Sequence, residues 1–427
     1  MNNTPTWLRN TATFGCWPGG EPKISSSDRR NCGGVPLLIN AQFKESVREA
    51  HRMGARALSY LSFYDTFVHT DGCGPETERV SWDMKCPQML LLDEQHRFVN
   101  TPMDGTWRMW RYLVCDNTQE YTDRALAMVH EKMRWGADGI FVDNADHREP
   151  CYGHGVLVGY SNKYKMVCTA MPGVGEQSSR RTAETNPHHG RRRSAKVSDP
   201  ALRELPRHRH LYPDHDHDYA FVKLLEKVRK VIRSYGRDKV MLVNGATFAE
   251  HADGGMIESF IFSWAWKGRF HTWPQIKEGA KRWEPYLRSG GTIQALTFLG
   301  RTDRTVDQDA VYAYAAAQLC GYMWSDYQTG KGPLCRQLRG LNLGRTLTPM
   351  FGGNGPVNYR VFERGIAAVN DSPRSHAVNI VLPPGQKAKV FHDLYEKCTV
   401  KAADGRIKLT IPAMAGAVFH TTPSQQP

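Results

Sequence analysis

Apolar residues recur at helical spacing in several segments of the chain, and short apolar runs lie between them. In the clearest helical segment, apolar side chains repeat from Phe221 to Tyr235 and Gly236 follows, a position at which glycine commonly ends a helix. Gly136 ends a second helical segment, Tyr121–Met133, in the same way. The remaining predicted helices are Phe43–Met53, Pro274–Leu287 and Asp307–Leu319.

The apolar runs between these helices predict β-strands. Several runs are apolar throughout, which is typical of parallel strands that helices cover on both faces. The predicted strands are Ala12–Trp17, Ala57–Phe63, Arg111–Cys115, Gly139–Asp143, Lys239–Val243, Met256–Phe262, Thr292–Leu299 and Gly321–Ser325. Repeated strand–helix units of this number predict an α/β protein with a (β/α)8 TIM barrel rather than an open sheet.

The pattern changes after residue 348, where short apolar runs alternate with turn sequences. These runs are Asn358–Asn370, Ala377–Leu382, Lys389–Asp393, Cys398–Ala402, Lys408–Ile411 and Ala417–His420. We therefore predict a barrel domain over 1–348 and a C-terminal antiparallel β-sandwich over 349–427. An insertion at about 150–216 interrupts the barrel after its fourth strand.

The chain has 427 residues and a formal net charge of +13, and basic residues are concentrated between Arg180 and His210. Such a run attracts acidic polymers, or it is a solvated insertion. No DNA-binding motif and no apolar run of membrane-spanning length is found, so neither nucleic acid nor membrane is an expected partner. The first residues do not resemble a signal peptide, which predicts an intracellular protein or one whose leader has been removed.

Polar side chains follow or interrupt the predicted strands, and barrel enzymes carry their catalytic groups at the carboxyl ends of strands. Asp143 directly follows an apolar run, and Glu258 lies within one. A carboxylate in such a position is either functional or paired with a buried arginine. The other candidates at these positions are Tyr64, Asp65, Asp116, Asn144, Asn244, Trp264, Trp266, Trp324 and Asp326.

Two carboxylates at one barrel rim are the groups that cleave a glycosidic bond. One donates a proton to the leaving oxygen, and the other attacks the sugar or activates water. We therefore predict Asp143 and Glu258 as catalytic residues and the other candidates as substrate-binding residues, with tryptophans as platforms for sugar rings. The expected substrate is an oligo- or polysaccharide, and no cofactor is required.

Two stretches resemble (β/α)8-barrel glycoside hydrolases. The stretch Cys115–Ala145, which contains GADGIFVDN, resembles the segment that leads to the catalytic aspartate in the melibiase-like and endo-α-1,4-polygalactosaminidase-like groups. The stretch His251–Trp264 is similar to the sixth-strand segment of the second group. The resemblance implies that Asp143 is the nucleophile or base, that Glu258 is the proton donor and that the reaction retains configuration. The segment Tyr359–His420 is similar to the β-sandwich that ends many such hydrolases.

Two other functions are also compatible with the sequence. One is a carbohydrate-binding protein on the same fold that has lost turnover. The other is a metal-dependent hydrolase that uses the histidines and aspartates between His208 and Asp218. The alternating residues of this segment are also typical of a loop before a helix, with Asp218 as a possible N-cap. Because the ten cysteines form no CxxC pair, the sequence does not predict a structural zinc site.

Overall fold

The computed structural model describes residues 4–17, 25–63, 65–68, 81–82, 91, 100–102, 110–145, 210–212, 217–263, 267–300, 302–327, 332–353 and 355–422. The insertion predicted at 150–216, with its basic run, lies outside the described residues except for 210–212. The chain divides into two compact units, one of residues 1–40, 48–57 and 256–427 and the other of 41–47 and 58–255. No helix in the described part is both long and apolar enough to span a membrane.

The five predicted helices are present, and three shorter helices, the first two and the last of the following, were not predicted. They are α1 (Thr6–Arg9), α2 (Ser26–Cys32), α3 (Lys44–Arg52), α4 (Gln119–Arg134), α5 (His217–Ser234), α6 (Trp273–Arg288), α7 (Val306–Cys320) and α8 (Pro333–Gly340). Local sequence fixes several ends: the Thr118 side chain accepts a hydrogen bond from the backbone N–H of Tyr121, and Thr305 and Gln308 form a capping box. Gly321 ends α7 in the left-handed conformation.

The strands of the barrel are β1 (Gly15–Cys16), β2 (Leu37–Ile39), β3 (Arg56–Ser62), β8 (Gly139–Asp143), β9 (Val240–Asn244), β10 (Gly254–Ile257), β11 (Thr292–Leu296) and β12 (Met323–Ser325). They form an eight-stranded sheet in this order. Parallel pairing between Thr13 and Trp324 brings the start of the chain to the last strand, so the barrel is nearly closed. The predicted (β/α)8 fold is confirmed.

One strand of the barrel was predicted wrongly. The run Arg111–Cys115 is not the third barrel strand, because β7 (Trp110–Leu113) belongs to a separate four-stranded sheet with β4 (Asp65–Val68), β5 (Ser81–Trp82) and β6 (Asn100–Pro102). The missing barrel strand is β2, which has only three residues and gives almost no periodic signal. Alternation and length alone do not show which sheet a short apolar run joins.

The C-terminal residues form antiparallel sheets, as predicted. The strands are β13 (Val357–Phe362), β14 (Gly365–Asn370), β15 (His376–Val381), β16 (Val390–Asp393), β17 (Thr399–Lys401), β18 (Arg406–Ile411) and β19 (Gly416–His420). Five of them form one sheet and β15 pairs with β18 in another. The run predicted as one strand over Asn358–Asn370 is a hairpin, in which β13 and β14 pair on either side of Glu363 and Arg364.

Helix α7 packs against the C-terminal sheets within the first unit. Burial raises the pKa of Tyr312 above its ordinary value, so its hydroxyl remains a neutral donor and donates to Asp371 Oδ1 at 3.0 Å. Arg360 donates to the carbonyl oxygens of Gln318 and Leu319 at the end of the helix, at 3.1 and 3.3 Å. These bonds add a side-chain donor to carbonyls in the last turn of the helix, where intrahelical donors run out.

Candidate active site

Asp143 is the last residue of β8, and its position follows from the strand before it. Gly139, Ile140, Phe141 and Val142 are all buried, whereas Asp143 is half-buried. The strand therefore carries its apolar residues through the core and brings a carboxylate to its carboxyl end. In barrel enzymes this end carries the catalytic groups.

Three side chains donate hydrogen bonds to the Asp143 carboxylate. The Tyr60 hydroxyl donates to Oδ2 at 2.6 Å, and Asn244 Nδ2 donates to Oδ1 at 2.6 Å. Asn144 Nδ2 donates to Oδ2 at 3.3 Å. Donors on both oxygens suit an ionised carboxylate, which only accepts, and they fix the plane of the group.

The sheet itself brings these donors together. In the parallel ladders Ser62 of β3 is paired with Asp143, and Val142 is paired with Val243, so Asn244 at the end of β9 lies beside Asp143. Asn144 has a left-handed φ of +52°, and its amide also donates to Ser62 Oγ at 3.2 Å. Asparagine tolerates this conformation better than most residues, and strained backbone often occurs at functional sites.

Tyr60 and Ser62 were not predicted as site residues. They lie two positions apart on β3 and therefore share one face of the strand. Polar side chains at every second position near the end of an otherwise apolar strand are the signal that could have identified them. Both are buried; Tyr60 donates to the Asp143 carboxylate itself, whereas Ser62 accepts from the amide of Asn144.

Glu258 directly follows β10, which ends at Ile257 rather than running on to Phe262. Ile257 and Phe260 are buried, whereas Glu258 is exposed. The carboxylate therefore stands at the carboxyl end of a barrel strand instead of inside it. Ser259 has a left-handed φ of +61°, so the chain turns sharply immediately after the glutamate.

Two of the other candidates, Trp324 and Asp326, are fully buried. Trp324 is fully buried with its ring 5.5 Å from that of Tyr314, so it presents no face to a sugar. Asp326 is fully buried and accepts two hydrogen bonds from Arg339, at 2.8 and 2.6 Å. The proposed site therefore excludes both, because Trp324 packs against a buried tyrosine and Asp326 pairs with a buried arginine.

Asp116 is also buried, and its Oδ1 lies 3.3 Å from His217 Nδ1. The structure therefore groups Asp143 with Asn144 and Asn244, and gives Asp116 different neighbours. Tyr64, Trp264 and Trp266 lie outside the described residues, and the side chain of Asp65 is not described.

Neither the protein-family models nor the curated proteins contain a match to this chain. Several solved structures are similar to it. A debranching enzyme from Nostoc punctiforme matches with a TM-score of 0.51 at 11% identity, over 98% of this chain and 100% of the other. A GH27 β-L-arabinopyranosidase from Geobacillus stearothermophilus matches with a TM-score of 0.50 at 10% identity, over 99% and 98%.

The chain has the fold of these glycoside hydrolases. A third match, to the glycoside hydrolase domain of PelA from Pseudomonas aeruginosa, has a TM-score of 0.41 at 12% identity and covers 75% of this chain and 97% of that domain. At such identities the first two matches establish the barrel with its C-terminal sheets and do not assign residue roles. The roles must come from the geometry around Asp143.

Proposed function

We propose that this protein is a glycoside hydrolase that cleaves an oligo- or polysaccharide with Asp143 and Glu258 as its two carboxylates. The observation that carries the proposal is the fixed, half-buried carboxylate of Asp143, which three donors hold at the carboxyl end of a barrel strand. A preorganised negative charge of this kind stabilises the positive charge that develops on a sugar ring in the transition state.

The two carboxylates differ in their surroundings, and the roles follow from that difference. Asp143 is held by donors and stays an acceptor, which suits a nucleophile or a base. Glu258 is exposed directly after β10, and we assign it the proton-donor role. Retention of configuration, with Asp143 forming the covalent glycosyl-enzyme, is the mechanism that we propose.

Kinetics of two isosteric variants test this assignment. Asp143→Asn keeps the shape but removes the charge, so turnover should fall by about 1,000-fold or more while substrate affinity changes little. Glu258→Gln should slow substrates with poor leaving groups most, because they depend on proton donation. Glu250→Gln, which changes an exposed carboxylate shortly before β10, is the matched control and should keep wild-type turnover.

The outcomes separate the proposed function from its alternatives. Turnover near the wild-type value in Asp143→Asn removes this residue from the chemistry. Binding without turnover in the wild type indicates a carbohydrate-binding protein instead. Retention is tested by NMR of the first product formed: the anomer of the substrate is expected, and the opposite anomer shows inversion.

We further propose that the substrate is acidic. The formal net charge of +13 produces a positive field that concentrates anionic polymers near the protein. A neutral polysaccharide gains nothing from this field.

A further inference from the structure

A second cluster of chemically active side chains lies apart from the Asp143 carboxylate. One ligand atom from each of Cys115, His210 and His217 lies within 4.8 Å of the other two, and all three residues are buried. Cys115 Sγ lies 3.5 Å from His210 Nε2, and the two imidazole rings meet edge to face with centroids 5.2 Å apart. Thiolate and imidazole are the ligands that Zn²⁺ prefers in proteins.

We propose that Cys115, His210 and His217 bind a Zn²⁺ ion, with a water molecule as the fourth ligand of the tetrahedron. In a tetrahedral site with a Zn–S bond of about 2.3 Å and a Zn–N bond of about 2.05 Å, sulfur and nitrogen are about 3.6 Å apart. The distance between Cys115 and His210 agrees with this value. The same distance also fits a hydrogen bond between the thiol and the imidazole, and that is the alternative the experiment must exclude.

Asp116 supplies the outer contact that protein zinc sites require. Its Oδ1 lies 3.3 Å from His217 Nδ1, so Nδ1 carries the proton and Nε2 is left to bind the metal. The charges also balance: a dication, a thiolate, a carboxylate and two neutral imidazoles sum to zero. Such a neutral assembly is far less costly to bury than any of its ions alone.

The backbone holds the ligands in place before any metal binds. Three hydrogen bonds hold residues 210–212 against the turn before α4. Leu211 N–H donates to the Asn117 carbonyl oxygen at 2.9 Å. Tyr212 N–H donates to Asn117 Oδ1 at 2.9 Å, and Asn117 Nδ2 donates to the Tyr212 carbonyl oxygen at 3.2 Å. His217 is the first residue of α5, whose apolar residues pack against those of α4. Preorganisation of this kind favours a defined coordination geometry.

The ion would join parts of the chain that are far apart in sequence. Cys115 and His210 are 95 positions apart, and Asp116 and His217 are 101 positions apart. A metal that binds only the folded state stabilises it by its binding free energy. The ion would therefore link the first residue of α5 to the residues just before α4. This inference does not depend on the proposed glycosidase activity, because its readout is metal uptake.

The test uses the full chain, stripped of metal with a chelator and titrated with Co²⁺ as a spectroscopic substitute for Zn²⁺. We expect one metal per chain, a thiolate-to-cobalt charge-transfer band and the intense visible absorption of a tetrahedral site. Zn²⁺ should displace Co²⁺ and raise the melting temperature. Failure of the wild-type chain to take up metal leaves the hydrogen bond as the explanation and overturns the proposal.

Variants locate the ion. Cys115→Ser should abolish the charge-transfer band, and Asp116→Asn should weaken Zn²⁺ binding about 10- to 100-fold. Cys398→Ser removes an exposed thiol and should change neither signal. If Cys115→Ser does not fold, the wild-type spectrum still decides: uptake without the charge-transfer band would place the metal on other residues, such as His208 or His215, and would overturn the proposal.

Discussion

Tyr60 donates one of the hydrogen bonds to the Asp143 carboxylate. Its hydroxyl is one of two donors at 2.6 Å from the Asp143 carboxylate, and the ring is buried beside Phe141 with centroids 6.4 Å apart. The ring therefore has little freedom, and the hydroxyl holds the carboxylate in one orientation. Hydrogen bonds to charged groups contribute about 1.5–3 kcal/mol.

Tyr60→Phe removes this bond while keeping the packed ring. If Asp143 is the nucleophile, misorientation of its carboxylate should lower kcat about 10- to 100-fold with little change in melting temperature. Steady-state kinetics and thermal denaturation measure the two effects. Tyr235→Phe is the control, because its hydroxyl contacts His130 in a more exposed position. Equal kcat values for the Tyr60 variant and the wild type would show that the tyrosine does not position the carboxylate.

Strand β8 depends on a close approach to its neighbour. A Cβ at Gly139 would lie 2.0 Å from the carbonyl oxygen of Val240, the first residue of β9. Backbone atoms cannot move away without breaking the pairing of Gly139 with Val240 that begins the ladder. Only glycine fits here, and the placement of Asp143 four residues later depends on that fit.

Gly139→Ala should therefore destabilise the protein by about 3 kcal/mol or more. Gly136 lies three residues earlier with a φ of +92°, and a Cβ there would meet no atom within 4 Å, so Gly136→Ala should cost only about 1–2 kcal/mol. Denaturant unfolding of both variants measures the difference. Similar midpoints would show that backbone conformation, rather than the contact with Val240, makes glycine necessary in β8.

At the scale of the whole molecule, the property that bears most directly on substrate is charge. The formal net charge is +13, and the run from Arg180 to His210, which lies outside the described residues apart from His210 itself, has nine Lys and Arg residues against three Asp and Glu. Its effect is long-ranged and is screened by salt, with a Debye length of about 10 Å at 0.1 M.

If the substrate is acidic, kcat/KM should fall at least about tenfold between ~20 mM and ~500 mM NaCl, because salt screens the attraction that brings the polymer to the protein. A neutral oligosaccharide turned over by the same enzyme is the control and should show little salt dependence. Initial rates at low substrate concentration provide the measurement. Salt-independent rates on the best acidic substrate would remove charge as a determinant of specificity.

The sequence by itself determined most of the longer elements and the fold class of this protein. Continuous apolar runs such as Gly139–Asp143 and capping residues such as Thr118 act within a few positions, so hydrophobic periodicity and local geometry predict them. The barrel, the C-terminal antiparallel sheets and the position of Asp143 at a strand end were all predicted in this way.

Only the tertiary structure decided which distant residues meet. The short strand β2 enters the barrel in place of Arg111–Cys115, and Tyr60 and Asn244 reach Asp143 from strands 83 and 101 positions away. Cys115 reaches His210 across a similar separation. Such contacts depend on strand order and register, which are set by the packing of the whole sheet and leave no periodic trace in the local sequence.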